Sequence, residues 1–367
     1  MLLLMKSKSI PMLEPRLNPQ PEVQTTNDQA LPHSAGCALL LQRYDIPTRS
    51  HFVRFVKFVV PISEFGLNPL LLGLLAVLAP GPGWGCGCSC SVFDVRTGAM
   101  LPTSQGGVAF LEFNFVDQNQ NWSGSSQAPA ADNGDKRIKT EFFIAGTQYM
   151  FNRDWGILAE IPYVDRYFRT TNDAGDTVGF SHTGLGDIRL KAIYTGFSAD
   201  LSSGLMCGLK LPTGCHDTPG FDRDTQIGTG SMDLLVGAFS RGMFPGGNQW
   251  NWFLTCQADV PTLISNDYRP GIELNGIAGI YYNGWSVGSI KIAPVGQIIA
   301  SHNWNDQGSQ AKPRDTGYDR LLLTAGVEVD SGAVALYADV ALPVYQDVHG
   351  NQLMAQELFT LRVSYSF

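Results

Sequence analysis

The sequence predicts an all-β fold, an antiparallel transmembrane up-and-down β-barrel of about 12 strands with short periplasmic turns and long external loops. Three observations carry this. Apolar residues alternate with polar or small ones over segments of about 10 to 15 residues, and the connections between segments alternate short and long. Aromatic residues also gather at the short-turn ends of the segments. Composition agrees: 40 of the 367 residues are Gly, about 11% against a usual ~7%, and charged residues make up 16% against a usual ~25%. Lys and Arg total 25 against 33 Asp and Glu, and a formal net charge of −8 argues against a nucleic-acid partner. With 44% hydrophobic residues and a mean hydropathy of −0.03, the chain is not a multi-spanning helical membrane protein, which needs apolar runs of about 20 residues.

Residues 1–50 carry six prolines among polar residues without a sustained period, which predicts a disordered extension or a mis-annotated start, with translation beginning near Val53 or Val56. From residue 51 the order changes. Arg49, Arg54 and Lys57 precede an apolar run from Leu70 to Ala79 and then small residues, the arrangement of a secretory signal peptide. A membrane anchor fits less well, because the run is short and Pro61, Glu64 and Pro69 break it upstream. Cys86, Cys88 and Cys90 complete a Cys-rich junction over residues 51–90. Three thiols at this spacing could hold a soft metal, but they lack CxxC pairing and a nearby His, so no metal site and no cofactor is expected. The seven cysteines, an odd number, define no disulfide framework.

The barrel is expected over residues 91–367. Alternation places strands near 107–116, 138–150, 155–168, 184–195, 203–212, 229–240, 250–260, 271–282, 285–300, 318–329, 333–343 and 353–367. The last is the clearest: Phe359, Leu361, Val363, Tyr365 and Phe367 share one face, and Thr360, Arg362, Ser364 and Ser366 the other. Even-numbered strands end in tight turns, among them Asn283-Gly284 and Asp330 to Gly332. Odd-numbered strands end in long polar loops such as TGCHDTPGFDRDTQ. Trp155, Trp250, Trp285, Tyr149, Phe151, Phe197, Tyr281, Tyr282 and Phe367 lie at the tight-turn end, where they would form an interfacial girdle.

If apolar residues face lipid, the other face lines the lumen. Lys139, Glu141, Glu160, Asp187, Arg189, Lys191, Lys210, Asp233, Asp259, Glu273, Lys291, Glu328, Asp339 and Arg362 then point inward, with Gln257 and Gln297. A charge on the lipid face near the midplane would cost about 2–4 kcal/mol, so energy and period agree. Two readings of this interior stay open: a polar path for a solute, or a packed lumen held shut by its ion pairs.

No catalytic constellation emerges, so the chain is not expected to be an enzyme. GxGxxG, GxxxxGK[ST] and CxxCH are missing, and His182, His216, His302 and His349 share no metal-ligand spacing.

At GLGDIRLKAIYTGF (Gly184 to Phe197), LKLPTG (Leu209 to Gly214) and GTGSMDLLVGAF (Gly228 to Phe239) the chain resembles the outer-membrane transporter family named for the meta-cleavage pathway of phenol degradation. The resemblance runs over about residues 92–367. It implies a bacterial outer-membrane barrel that moves hydrophobic or aromatic solutes. The terminal aromatic Phe367 resembles the signal read by the outer-membrane assembly machinery. The expected partners are therefore outer-membrane lipid, a small-molecule solute and that machinery. Two other functions remain open: a surface protein or enzyme acting through its long external loops, and a metal-handling protein using the Cys86, Cys88 and Cys90 cluster. Gly184, Gly186, Gly228 and Gly230 are expected to supply backbone freedom at the rim.

Overall fold

Alternation at period two becomes a closed wall. The computed structural model describes residues 101–367 apart from 103, 104, 173, 247 and 248, so the expected leader and the Cys86, Cys88 and Cys90 cluster lie outside the described residues. The strands are β1 (Gly106–Gly124), β2 (Ser126–Gln127), β3 (Arg137–Met150), β4 (Trp155–Thr171), β5 (Thr177–Leu185), β6 (Ile188–Tyr194) and β7 (Ser203–Leu211). They continue as β8 (Met232–Met243), β9 (Trp250–Leu263), β10 (Glu273–Tyr282), β11 (Trp285–Val287), β12 (Ile290–Asn303), β13 (Tyr318–Ser331) and β14 (Val334–Ser366). Eleven form an antiparallel ring, β1-β3-β4-β6-β7-β8-β9-β10-β12-β13-β14, closed by β14 on β1; β2, β5 and β11 stand outside it.

Two irregularities reconcile this ring with the expected twelve. The 33 residues of β14 pair with β13 from Val334 to Val348 and with β1 from Val348 to Ser366, reversing at Gly350, whose φ is +62°. The amide of Ser366 donates to the carbonyl of Ala333 at 2.7 Å, so the two limbs lie side by side and the wall is crossed twelve times. β5 and β6 form one descending run opposite β4, interrupted at Gly186 and Asp187. The expected turn at Asn283-Gly284 is larger than a hairpin: β10 first meets β12 at Tyr281 and Val295, and the chain between them doubles back through β11.

Side chains sort by face as the period requires. Leu111, Ile157, Ile161, Leu190, Ile298, Leu323, Leu336 and Val363 are exposed on the outside, although large apolar side chains ordinarily bury. At the tight-turn end Trp155 packs on Tyr194 with ring centroids 4.7 Å apart, Trp250 on Tyr282 at 5.0 Å, and Tyr149 on both Phe151 and Phe367. Tyr281 leaves this girdle, because it shares the inward face with Ile277 and packs on the interior apolar cluster.

The inside is not uniformly polar. Phe110, Phe142, Leu158, Phe239, Phe253, Ile277, Ile299 and Leu322 are buried there, alternating with the charged residues. Glycines make room for the rings. Gly146 lies directly across from Phe110, Gly204 from Phe239 and Gly279 from Phe253, and a Cβ at any of the three would fall within 2.6 Å of the opposing ring. An aromatic covering a cross-strand glycine shields the bare backbone and lays the ring against the wall. These three glycines therefore serve packing, not backbone conformation.

Candidate functional site

Charged residues on the inner wall meet in two groups. On one wall Arg362 faces Glu112 directly across the β14–β1 ladder, and the guanidinium Nε and Nη2 each donate to Glu112 Oε2 at 2.7 Å. Asn114 donates to the other Glu112 oxygen at 2.8 Å. The Arg362 guanidinium also lies 5.4 Å from the centre of the Tyr337 ring, and Tyr337 donates its hydroxyl proton to Asp339 at 2.5 Å. Gln297 reaches both from β12, across Gly326, where a Cβ would lie 2.8 Å from that of Asp339.

On the opposite wall the pairs span further. Lys191 on β6 donates to Gln257 on β9 at 2.7 Å and stands 3.7 Å from Glu160, while Arg189 reaches Asp259 at 3.2 Å. Two strands intervene, and Gly208 opposite Lys191 and Gly237 opposite Gln257 put no side chain in the way. Gln257 donates onward to Asp259 at 2.7 Å. Lys210 pairs with Asp233, which also accepts from Ser231 at 2.6 Å. Glu273 accepts from Asn275 at 2.9 Å. Ion pairs this buried are held by geometry, since each member without its partner would be a desolvated charge.

The expected inward set needs three corrections. Lys139 and Glu141 face outward, sharing the side of Phe143, because Ile138, Thr140 and Phe142 occupy the buried parity of β3. They pair with each other at 3.6 Å near the loop end, and Lys139 lies 5.2 Å from the centre of the Phe115 ring. Asp187 stands in the break between β5 and β6 and serves the loops, as described below. Lys291 has inward parity but is exposed at the tight-turn end, opposite Asp330. Glu328 is inward and half-buried opposite Tyr337.

Asp187 ties together the three Gly-rich motifs. It accepts from the Gly214 amide at 2.9 Å, from the Thr229 amide at 2.9 Å and from the Thr229 hydroxyl at 2.8 Å. Thr213 donates its hydroxyl proton to the Gly186 carbonyl at 2.7 Å, and the Gly228 amide donates to the Cys215 carbonyl at 2.8 Å. Gly214 and Gly228 touch so closely that a Cβ on either would lie 2.7 Å from the other's Cα. Gly228 therefore acts by close approach, and of the four rim glycines Gly230 alone has a positive φ, +66°. The result is a neck from which residues 215–227 emerge as an Ω-loop, compact with its ends together.

This loop packs against the inner face at the long-loop end of the barrel. Arg166, buried on the inner face of β4, donates from Nη1 to the carbonyls of Thr225 and Gln226, both at 2.8 Å, and from Nε to Thr140 at 3.0 Å. Phe221 packs tilted against Phe168 and Phe180 and edge-on to His182, and Arg223 lies 4.0 Å from the centre of the Tyr268 ring. Asp222 meets Lys136 at 2.6 Å and Lys312 at 3.4 Å. Parity on β1 and β4 would have found Glu112 and Arg166. The partners of Asp222 and Arg223 sit in irregular loops, where no period carries a signal.

The barrel is similar in fold to a bacterial outer-membrane channel. The COG4313 outer membrane channel from Pseudomonas putida F1 superimposes with a TM-score of 0.56 at 13% identity, covering 75% of this chain and 100% of that one. The β domain of the Bordetella autotransporter BrkA gives a TM-score of 0.42 at 15% identity, over 72% of this chain and 100% of that one. No family model matches the sequence, and no curated protein does. At these identities the likeness concerns fold, and the reading of function rests on the residues.

Proposed function

We propose that this chain is a porin-like channel of the bacterial outer membrane, passing or binding a small solute within its lumen without catalysing a reaction. The observation that carries this reading is a closed ring whose outer face is apolar, with an aromatic girdle at the tight-turn end, and whose inner face holds paired charges. A closed ring leaves no unpaired edge in lipid, and outward charges would oppose insertion. The fold likeness to an outer-membrane channel supports the same reading.

The interior argues for a solute with both apolar and polar surface. Phe110, Phe142, Phe239 and Phe253 share the inner face with Glu160, Lys191, Asp259 and Arg362, so a solute that parts these packed side chains meets both apolar rings and paired charges. The resemblance of GLGDIRLK, LKLPTG and GTGSMD to the phenol meta-pathway family supports a hydrophobic or aromatic solute. Export by a leader over residues 51–90, contact with outer-membrane lipid, and insertion by the assembly machinery through the strand ending at Phe367 belong to the same proposal.

Liposome swelling with the purified barrel tests it. Swelling in phenylalanine, a zwitterionic aromatic solute, is expected to outpace swelling in a disaccharide. No solute-dependent swelling, by either the intact protein or one shortened in the 215–227 loop, would remove the transport reading.

A further inference from the structure

We propose that residues 215–227 form a lid over the outer mouth, latched shut where Asp222 meets Lys136 and Lys312. The inference rests on the channel reading and adds to it the element that controls passage.

The ring order gives the argument. Its six outer connections follow β1, β4, β7, β9 and β12 and the reversal of β14 at Gly350. The lid belongs to the third, after β7. Lys136 belongs to the first and Lys312 to the fifth, so the three loops stand about a third of the circumference apart. One Asp222 oxygen meets both lysines, and a carboxylate reaching both neighbours lies over the opening and not over the wall. Arg166 grips the lid from inside through the Thr225 and Gln226 carbonyls, and Tyr268 holds it from the fourth connection through Arg223. Three of the other five connections thus meet on this one loop.

The attachments differ in kind. The neck at Gly214 and Gly228 is clamped by Asp187, and Phe221 is seated between Phe168 and Phe180, whereas the latch is a set of partly exposed ion pairs. Partly exposed pairs are weaker and more salt-sensitive than fully buried ones, as a releasable contact should be. Because the neck is already closed, joining Gly214 to Gly228 removes the lid without opening the wall.

Single-channel recording on the full-length protein in planar bilayers tests the proposal, with heat-modifiable electrophoretic mobility verifying a folded barrel. Three variants are needed: Asp222→Asn, a Gly214-to-Gly228 splice lacking residues 215–227, and a charge swap combining Asp222→Lys with Lys136→Asp and Lys312→Asp. The wild type is expected to stay mostly closed, Asp222→Asn to raise the open fraction about fivefold, and the splice to stay open. The charge swap should restore closure, and 1 M salt should open the wild type as Asp222→Asn does. A wild type that conducts as freely as the splice overturns the lid and leaves the channel standing. An open splice beside an unaltered Asp222→Asn overturns the latch. Folded barrels in which neither wild type nor splice conducts overturn the channel reading and the lid together.

Discussion

The Arg362–Glu112 pair in the wall and the Asp222–Lys136 pair at the mouth share one chemistry, a carboxylate against a cation at 2.6–2.7 Å. Their surroundings differ. The wall pair is 5% and 4% exposed and is set by strand register, while the mouth pair is 22% and 29% exposed and joins two loops. In the wall neither charge has water to return to, so the pair is compulsory. At the mouth both can be rehydrated, so the pair is optional. Burial decides whether an ion pair serves as scaffold or as switch.

The largest effect expected is on the wall. Arg362→Ala leaves Glu112 buried without its cation and should cost about 3–5 kcal/mol of folding stability, read from the urea midpoint of the refolded barrel. Removing both charges, with Arg362→Met and Glu112→Leu, should recover most of that loss, because the penalty belongs to the orphaned carboxylate. A single variant as stable as the wild type would show that water reaches this wall and would erase the contrast.

Asp187 lies between the two extremes. Asp187→Ala strips the Gly214 and Thr229 donors of their shared acceptor, and a loss of about 1–3 kcal/mol is expected, confined to the neck. Limited proteolysis should then cut within residues 215–227 while the barrel stays intact. Resistance equal to wild type would mean that Thr213 and the aromatic seat of Phe221 hold the loop without it.

The smallest effect is the release of the latch by acid. Burial alone would raise the Asp222 carboxyl, but the hydrogen bond from Lys136 and the charges of Lys136 and Lys312 hold it below its usual value. Its neighbour Asp224 is pushed up by burial and by the Asp222 charge, so it takes its proton first. A depressed carboxylate contributes stability that is fully present above the ordinary value of about 4 and is lost as pH falls through the lowered one. The open fraction should therefore stay flat from neutral pH down to about 4 and rise below it. A rise centred near neutral pH would place the switch on another group.

Legibility followed the same division. Period two revealed the wall because each residue of a two-faced strand must choose a face, and the clear choice at Phe359 to Phe367 is the observed one. Lys139 and Glu141 were misplaced because β3 rises past the apolar zone at its loop end, where an outward charge carries no penalty and polarity stops reporting direction. The buried Phe110 and Phe253 were hidden for a related reason: a phenylalanine over a glycine reads as one more outward apolar residue. The Gly-rich motifs stood out, but Asp187 looked like a lumen charge, because hydrogen bonds to the Gly214 and Thr229 amides leave no trace in side-chain chemistry.

The meeting of β14 with β1 has a consequence in time. Glu112 is made early in the chain, and its cation lies 250 residues later, on the last strand. Until that strand arrives, β1 offers an open hydrogen-bonding edge to any neighbour, so closure waits on the most distant contact in the sheet. Sealing of the sheet therefore comes last, and the exposure of its edges ends only when the final residues dock.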